Sequence, residues 1–231
     1  MRGSRLAHFE SIFMTHDLNY LRDEWLRTGM PLSHFYPLLA AYGGSERHYH
    51  GVGHIHWLLG AANMYTWTKS KLTDAEHRRI RLAIFYHDLV YIAGSPDNER
   101  ASASLAHFAI STELGDLGLA EAVQSDILRT RDHFSWVDGE DIETSILLDV
   151  DLAGLGAPWE TYQRHTRQIR LEFSTVDDAA FRIGRIAFLE RALATTVLYR
   201  TPIAISLWEA RAHQNMGREL SELNGGEHAG D

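Results

Sequence analysis

The sequence predicts an all-α protein built as a single helical bundle. Three observations support this fold class: no segment shows the period-two alternation of a β-strand, only five prolines occur, and apolar residues recur at helical spacing. The chain has 231 residues, of which 45% are hydrophobic and 23% are charged. This is the composition of an ordinary globular protein, and a chain of this length can enclose a core without disulfide bonds.

Capping and stop signals mark several helix ends. Thr73 and Glu76, three residues apart, fit a capping box. Pro158 fits the first position of a helix, and Asp177 or Asp178 can cap the helix that follows. Within an error of roughly 2–4 residues, the predicted helices span 17–28, 35–42, 54–70, 74–93, 98–115, 119–131, 139–154, 158–173, 178–199 and 203–223.

We expect these helices to form one domain over residues 1–223. Residues 224–231 contain three glycines and little that is apolar, so they are expected to form a flexible C-terminal tail. No internal repeat and no linker rich in Pro, Gly or Ser divides the chain.

Composition excludes several classes of function. The chain carries 22 Lys and Arg against 31 Asp and Glu, a net charge of −9, which disfavours extended nucleic acid as a partner. The absence of Cys excludes thiolate chemistry and Cys-ligated metal sites, and it favours a reducing compartment. No signal peptide follows Met1, and the uncharged stretch 48–68 contains four His, so a cytoplasmic protein without a membrane span is expected.

A His-Asp pair lies on a predicted core-facing stripe. Ile80, Ala83, Ile84 and His87 recur at i, i+3, i+4 and i+7, which places His87 toward the core with Asp88 beside it. A buried carboxylate next to a buried imidazole needs a partner. A simple buried His–Asp hydrogen bond would satisfy that need, and so would a metal ion.

Two further aspartates interrupt the apolar segment 146–155. Neither Asp149 nor Asp151 lies on a face that is predicted to be solvated, so each needs a cation, strong donors or a metal. Capping of a neighbouring helix, or an ion pair with Arg170 or Arg185, is the alternative.

Histidines are concentrated in one short segment. Four of them fall between residues 48 and 56, and His50 and His54 are four residues apart. Neutral imidazole is a common ligand for divalent transition metals. The alternative interpretation is a polar loop whose histidines have no such role.

These motifs, in this order, resemble the HD superfamily of metal-dependent phosphohydrolases. The resemblance rests on His54, on Phe85-Tyr-His-Asp-Leu-Val-Tyr91, on Asn98-Glu99 and on Leu148-Asp-Val-Asp-Leu-Ala-Gly-Leu-Gly156, and it covers about residues 45–220. It extends to a bacterial subgroup described only as predicted HD-type phosphohydrolases. Gly51 departs from the Asn expected there in that subgroup.

The resemblance implies an all-α core with one divalent metal at its centre. Its ligands would be His54, His87, Asp88 and one later aspartate, for which Asp151 is the better match and Asp149 the alternative. Asp88, His50 and Glu99 are the candidate catalytic residues, of which His50 and Glu99 would act in proton transfer or in orienting the ligands. His133 is a candidate further ligand, and the candidates for binding substrate phosphate are Arg47, Arg131, Arg170 and Arg185.

The implied activity is hydrolysis of a small phosphorylated substrate, with a nucleotide as the leading example, by a metal-activated water. Ligands of this type suit Mn, Fe, Co, Ni or Zn, and Mg through few protein ligands plus substrate. Two alternatives are a metal-stabilised HD-type binding or regulatory protein without catalysis and an iron oxygenase on the same framework. The oligomeric state is left open, with a homo-oligomer among the options.

Overall fold

The structure, a computed structural model, describes residues 18–67, 72–137 and 139–225. Within these ranges all regular secondary structure is helical and no β-strand occurs, which confirms the predicted all-α class. No helix in the same ranges is both long enough and apolar enough to cross a membrane.

The chain divides into two compact units, one within residues 1–131 and one within residues 132–231. Whether they belong to the single predicted domain over 1–223 stays a prediction. The predicted tail begins inside the last helix, which includes Asn224 and Gly225, and the rest of that tail lies outside the described residues.

The described part of the first unit contains six α-helices. Its core contains Leu21, Leu39 and the rings of Trp25, Phe35 and Phe85, all at most 1% exposed, with Trp25 and Phe85 edge to face at a centroid distance of 5.1 Å. These helices are α1 (Leu18–Leu26), α2 (Leu32–Tyr42), α3 (Val52–Trp67), α4 (Asp74–Tyr86), α5 (Asn98–Leu114) and α6 (Leu117–Arg129).

Helix α4 begins as the sequence predicts. The Thr73 hydroxyl accepts a hydrogen bond from the Glu76 N–H, and the Glu76 carboxylate accepts one from the Thr73 N–H. This capping box satisfies two donors that the first turn of a helix leaves unpaired. The predicted core-facing stripe is also confirmed, since Ile80, Ala83 and His87 are buried.

The end of α4 comes earlier than predicted, at Tyr86 instead of near residue 93. The backbone N–H of Asp88 donates to the Tyr42 hydroxyl at 3.2 Å rather than continuing the helix. The Ile84 carbonyl, which that N–H would have reached in an α-helix, accepts a hydrogen bond from His87 Nδ1 at 2.9 Å. Side chains therefore replace the next backbone hydrogen bond and end the helix at the His-Asp pair.

The second unit holds the remaining helices. A 3₁₀ turn, Leu152–Gly156, follows the first of them, and a π-helical segment, Ile205–Glu209, lies within the last helical stretch. The α-helical parts are α7 (Ile142–Asp151), α8 (Trp159–Glu172), α9 (Asp178–Ala194), α10 (Pro202–Ala204) and α11 (Ala210–Gly225), and the short 3₁₀ turn Thr130–Asp132 precedes them.

Polar contacts attach the 3₁₀ turn to α11. The Asn215 side-chain amide donates to the carbonyls of Leu155 and Ala157, both at 2.8 Å. Gly156 lies directly against Trp208 of the π-helical segment, where a Cβ atom on Gly156 would come within 2.5 Å of the Trp208 Cβ. This close approach requires a glycine because no side-chain carbon fits between the two backbones.

Candidate metal centre

The turn that precedes α3 positions the first candidate ligand. His54 lies in the first turn of α3 and is 6% exposed. Gly51 precedes that helix in a tight turn, where a Cβ atom would lie 3.0 Å from the Arg47 carbonyl oxygen and 3.3 Å from that of Tyr42. The departure at Gly51 therefore has a steric reason in this chain.

The three ligand atoms of His54, His87 and Asp88 converge within 4.8 Å of one another. The Nε2 atoms of the two histidines are 3.3 Å apart. Asp88 Oδ2 lies 3.1 Å from His87 Nε2 and 3.9 Å from His54 Nε2. Two imidazoles and one carboxylate thus lie together in a group that could hold a metal ion.

Hydrogen bonding fixes which nitrogen of His87 faces this group. His87 is 1% exposed, and its Nδ1 lies 2.9 Å from the Ile84 carbonyl oxygen, which can only accept a hydrogen bond. The neutral ring therefore carries its proton on Nδ1 and presents the Nε2 lone pair to the group. Such a backbone partner is typical of metal-binding histidines, because it sets both ring orientation and tautomer.

Arg47 connects the segment before α3 with the segment that follows α4. Its guanidinium donates to the carbonyl of Asp88 at 2.6 Å, to that of Leu89 at 2.8 Å and to that of His50 at 3.2 Å. It also lies over the rings of Tyr42 and Tyr91, at 4.9 and 5.6 Å from their centroids. This side chain therefore joins the two segments that supply the candidate ligands. Its predicted role in binding substrate phosphate stays a prediction.

The two candidate proton-transfer residues differ in their positions. The His50 ring stacks on Tyr91 at a centroid distance of 4.3 Å and lies 5.6 Å from the His54 ring. The structure thus brings His50 beside the candidate ligands. Glu99 lies in the first turn of α5 and is half-buried.

In the second unit, the predicted later ligand meets a histidine. Asp151 is the last residue of α7, and its Oδ2 lies 2.8 Å from His133 Nε2. Both side chains are largely but not completely buried, at 14% and 17% exposure. The structure therefore pairs two of the candidate residues, and the assignment of Asp151 as a metal ligand stays a prediction.

Asp149 has the surroundings of a structural carboxylate. It is fully buried and accepts hydrogen bonds from the backbone N–H groups of Arg200 and Thr201, at 2.6 and 2.8 Å, and from the Thr201 hydroxyl at 2.7 Å. Burial raises the pKa of the Asp149 carboxyl to about 6, and these three hydrogen bonds oppose the rise. The side chain fixes the segment before α10 to α7.

The two aspartates should therefore respond differently to loss of charge. Asp149→Asn places an amide N–H₂ or a weaker acceptor against three donors, so we expect the free energy of unfolding to fall by about 1–3 kcal/mol while metal content is kept. Asp151→Asn should keep the melting temperature of the metal-free protein and lose bound metal. Elemental analysis and thermal unfolding of both variants check this, and the reverse pattern would move the predicted ligand to Asp149.

The remaining candidate arginines have different surroundings. Arg170 pairs with Asp178 at 2.5 Å, and Arg185, in a buried cluster, pairs with Glu219 at 2.9 Å and lies near the Tyr162 hydroxyl. Arg131 is exposed. Binding of substrate phosphate by any of them stays a prediction, and the first two would have to share or exchange their carboxylate partners.

Sequence reasoning missed two residues that position the candidate site residues. Tyr42 donates through its hydroxyl to the Phe85 carbonyl at 3.1 Å while accepting from Asp88. Arg200 is almost fully buried and donates to Glu140 at 2.6 Å and to the carbonyl of His133 at 2.8 Å. No local pattern could have indicated either, because these partners lie 43 to 67 positions away in the sequence.

Comparison with known proteins gives no family or function for this chain. No family model, no curated protein and no solved structure matches the chain.

Proposed function

We propose that this protein is a metal-dependent hydrolase of a small phosphorylated molecule, with one divalent ion bound by His54, His87 and Asp88. The observation that carries the proposal is the convergence of three ligand atoms within 4.8 Å in a poorly solvated position. Asp151 is the proposed fourth ligand.

The chemistry of the donor set fits a divalent transition metal. Two neutral imidazoles and a carboxylate are the ligand types that bind Zn²⁺, Mn²⁺, Fe²⁺, Co²⁺ and Ni²⁺. The Nδ1–H of His87 is already committed to the Ile84 carbonyl, which leaves Nε2 free of a proton for coordination. An ion that accepts six ligands would keep positions for water and substrate beside these residues and Asp151.

When bound, such an ion lowers the pKa of water and polarises a phosphoryl oxygen. The side chains of this chain would supply the rest of the catalytic arrangement. The Arg47 guanidinium donates to the carbonyls of both Asp88 and His50. The segments that carry these two residues therefore keep their relative positions. The His50 ring, beside His54, is assigned proton transfer to the leaving oxygen.

The choice of a phosphorylated substrate rests on the resemblance of the sequence to the HD superfamily. The net charge of −9 disfavours an extended nucleic acid, so a small molecule, with a nucleotide as the leading example, is the proposed substrate. The assignment to cytoplasm stays a prediction from composition.

We expect about one equivalent of divalent metal per chain, and metal-dependent hydrolysis of p-nitrophenyl phosphate or of members of a nucleotide panel. Elemental analysis of protein purified without chelator, followed by reconstitution with Mn²⁺, Ni²⁺ and Zn²⁺, measures the first. Phosphate release measures the second. His54→Gln should lose both, whereas His77→Gln, on the outer part of α4, should keep both.

A protein that binds metal but does not hydrolyse any of these substrates would support a second function, a metal-stabilised binding or regulatory protein. One observation favours it: the guanidinium groups of Arg170 and Arg185 pair with carboxylates, and Arg47 binds backbone carbonyls. A productive phosphate pocket needs cationic groups for the charge of the transition state. Failure to bind any of the three metals would overturn both functions.

A further inference from the structure

An apolar cleft lies between α2 and α5, apart from the candidate metal ligands. Its volume is about 520 Å³, within the range of small-molecule binding sites. None of the three converging ligands lines it. Most of its lining is aliphatic or aromatic, and representative residues are Pro37, Leu38, Leu89, Val90, Leu105 and Phe108.

The polar groups in this lining are few, and one of them lacks a hydrogen-bond partner. Tyr86 lines the cleft, is 2% exposed, and its hydroxyl has no hydrogen-bond partner within the part of the chain that the structure describes. An unpaired buried hydroxyl destabilises a fold, because water has been removed without a replacement. Such a group therefore points to a partner that the chain itself does not supply.

A tyrosine hydroxyl keeps its proton at neutral pH, so that of Tyr86 can donate a hydrogen bond to a ligand. The His34 ring, also in the lining, lies 3.1 Å from the Glu113 carboxylate and is thus already paired. Besides the exposed Ser33, the lining therefore offers one buried hydroxyl without a partner and no unpaired charge.

We infer that this cleft is a binding site for an uncharged, largely apolar small molecule that carries a hydrogen-bond acceptor, such as a carbonyl, for the Tyr86 hydroxyl. An apolar body matches the aliphatic and aromatic walls. A charged ligand would have to leave water for a cleft that offers no counter-charge, which is unfavourable. The acceptor would give the Tyr86 hydroxyl the partner that the described part of the chain does not supply.

Nile red, an uncharged apolar dye with a carbonyl group, is the probe for this inference. The full chain should raise the fluorescence of the dye with saturation near one equivalent. Ala41, which lines the cleft from α2 and is exposed, can be replaced by Trp to fill the cleft without disturbing the core. Ala41→Trp should weaken binding at least about tenfold, whereas Ser104→Trp, at an exposed position on α5 outside the lining, should not change it.

Tyr86→Phe separates the role of the hydroxyl from that of the ring. It should weaken dye binding by about 2- to 10-fold, the value of one neutral hydrogen bond. The melting temperature of the dye-free variant should stay the same or rise by about 2–4 °C, because an unpaired hydroxyl is removed. A structural role for the hydroxyl predicts the opposite, a lower melting temperature.

Three outcomes would overturn the inference: dye binding that Ala41→Trp leaves unchanged, a Tyr86→Phe variant that melts at a lower temperature, or a self-association in sedimentation that Ala41→Trp abolishes, which would make a second copy the occupant. The titration is run with and without added Mn²⁺. Its readout does not depend on metal or on hydrolysis, so it can fail or succeed independently of the proposed function.

Discussion

Asp88→Asn should remove the stabilisation that divalent metal gives to this protein. An ion at about 100 times its dissociation constant adds about 2.7 kcal/mol to the free energy of unfolding, because it binds the folded state. For a chain of this size that corresponds to a rise in melting temperature of about 5–10 °C. Loss of the carboxylate charge should weaken binding at least about 100-fold and abolish most of this rise.

The substitution isolates the side chain of Asp88. The backbone N–H and carbonyl of residue 88 keep their partners, Tyr42 and Arg47, whatever its side chain is. Asp97→Asn is the matched control, since that aspartate is exposed and its side chain makes no capping hydrogen bond to α5. Thermal unfolding with and without Mn²⁺, Ni²⁺ or Zn²⁺ gives the shift, and a full shift in Asp88→Asn would exclude Asp88 as a ligand.

Gly156→Ala should be the most destabilising methyl addition in the second unit. A Cβ atom at position 156 would meet Trp208 at 2.5 Å from its Cβ, 2.8 Å from its Cα and 2.9 Å from its carbonyl oxygen. Because two of these atoms belong to the backbone, no rotation of a side chain relieves the overlap. We expect a loss of about 3 kcal/mol or more in the free energy of unfolding, seen as a lower midpoint in urea.

Gly184→Ala provides the matched control for that experiment. Gly184 lies within α9, is exposed, and a Cβ atom there would meet nothing within 4 Å. Alanine should stabilise the helix at this position by about 0.5–1 kcal/mol, because it lowers the backbone entropy of the unfolded chain. Equal effects of the two substitutions would show that the contact between Gly156 and Trp208 does not exist in solution.

Local sequence was sufficient for the helical class and for the start and the core-facing side of α4. The capping box of Thr73 and Glu76 acts over three residues, so the start of α4 could be predicted. The burial of Ile80, Ala83 and His87 follows from helical periodicity alone. The HD resemblance and the identity of the metal, by contrast, stay predictions.

The sequence by itself determined that helices form here and which side of α4 faces the core, because both depend on neighbours within a few residues. Only the tertiary structure decided where α4 ends and that His54 meets His87 and Asp88. The end of that helix depends on the Tyr42 hydroxyl and on Arg47, whose partners are 41 to 46 positions away along the chain. Contacts over such separations depend on how helices pack, and packing brings together side chains that no local pattern relates.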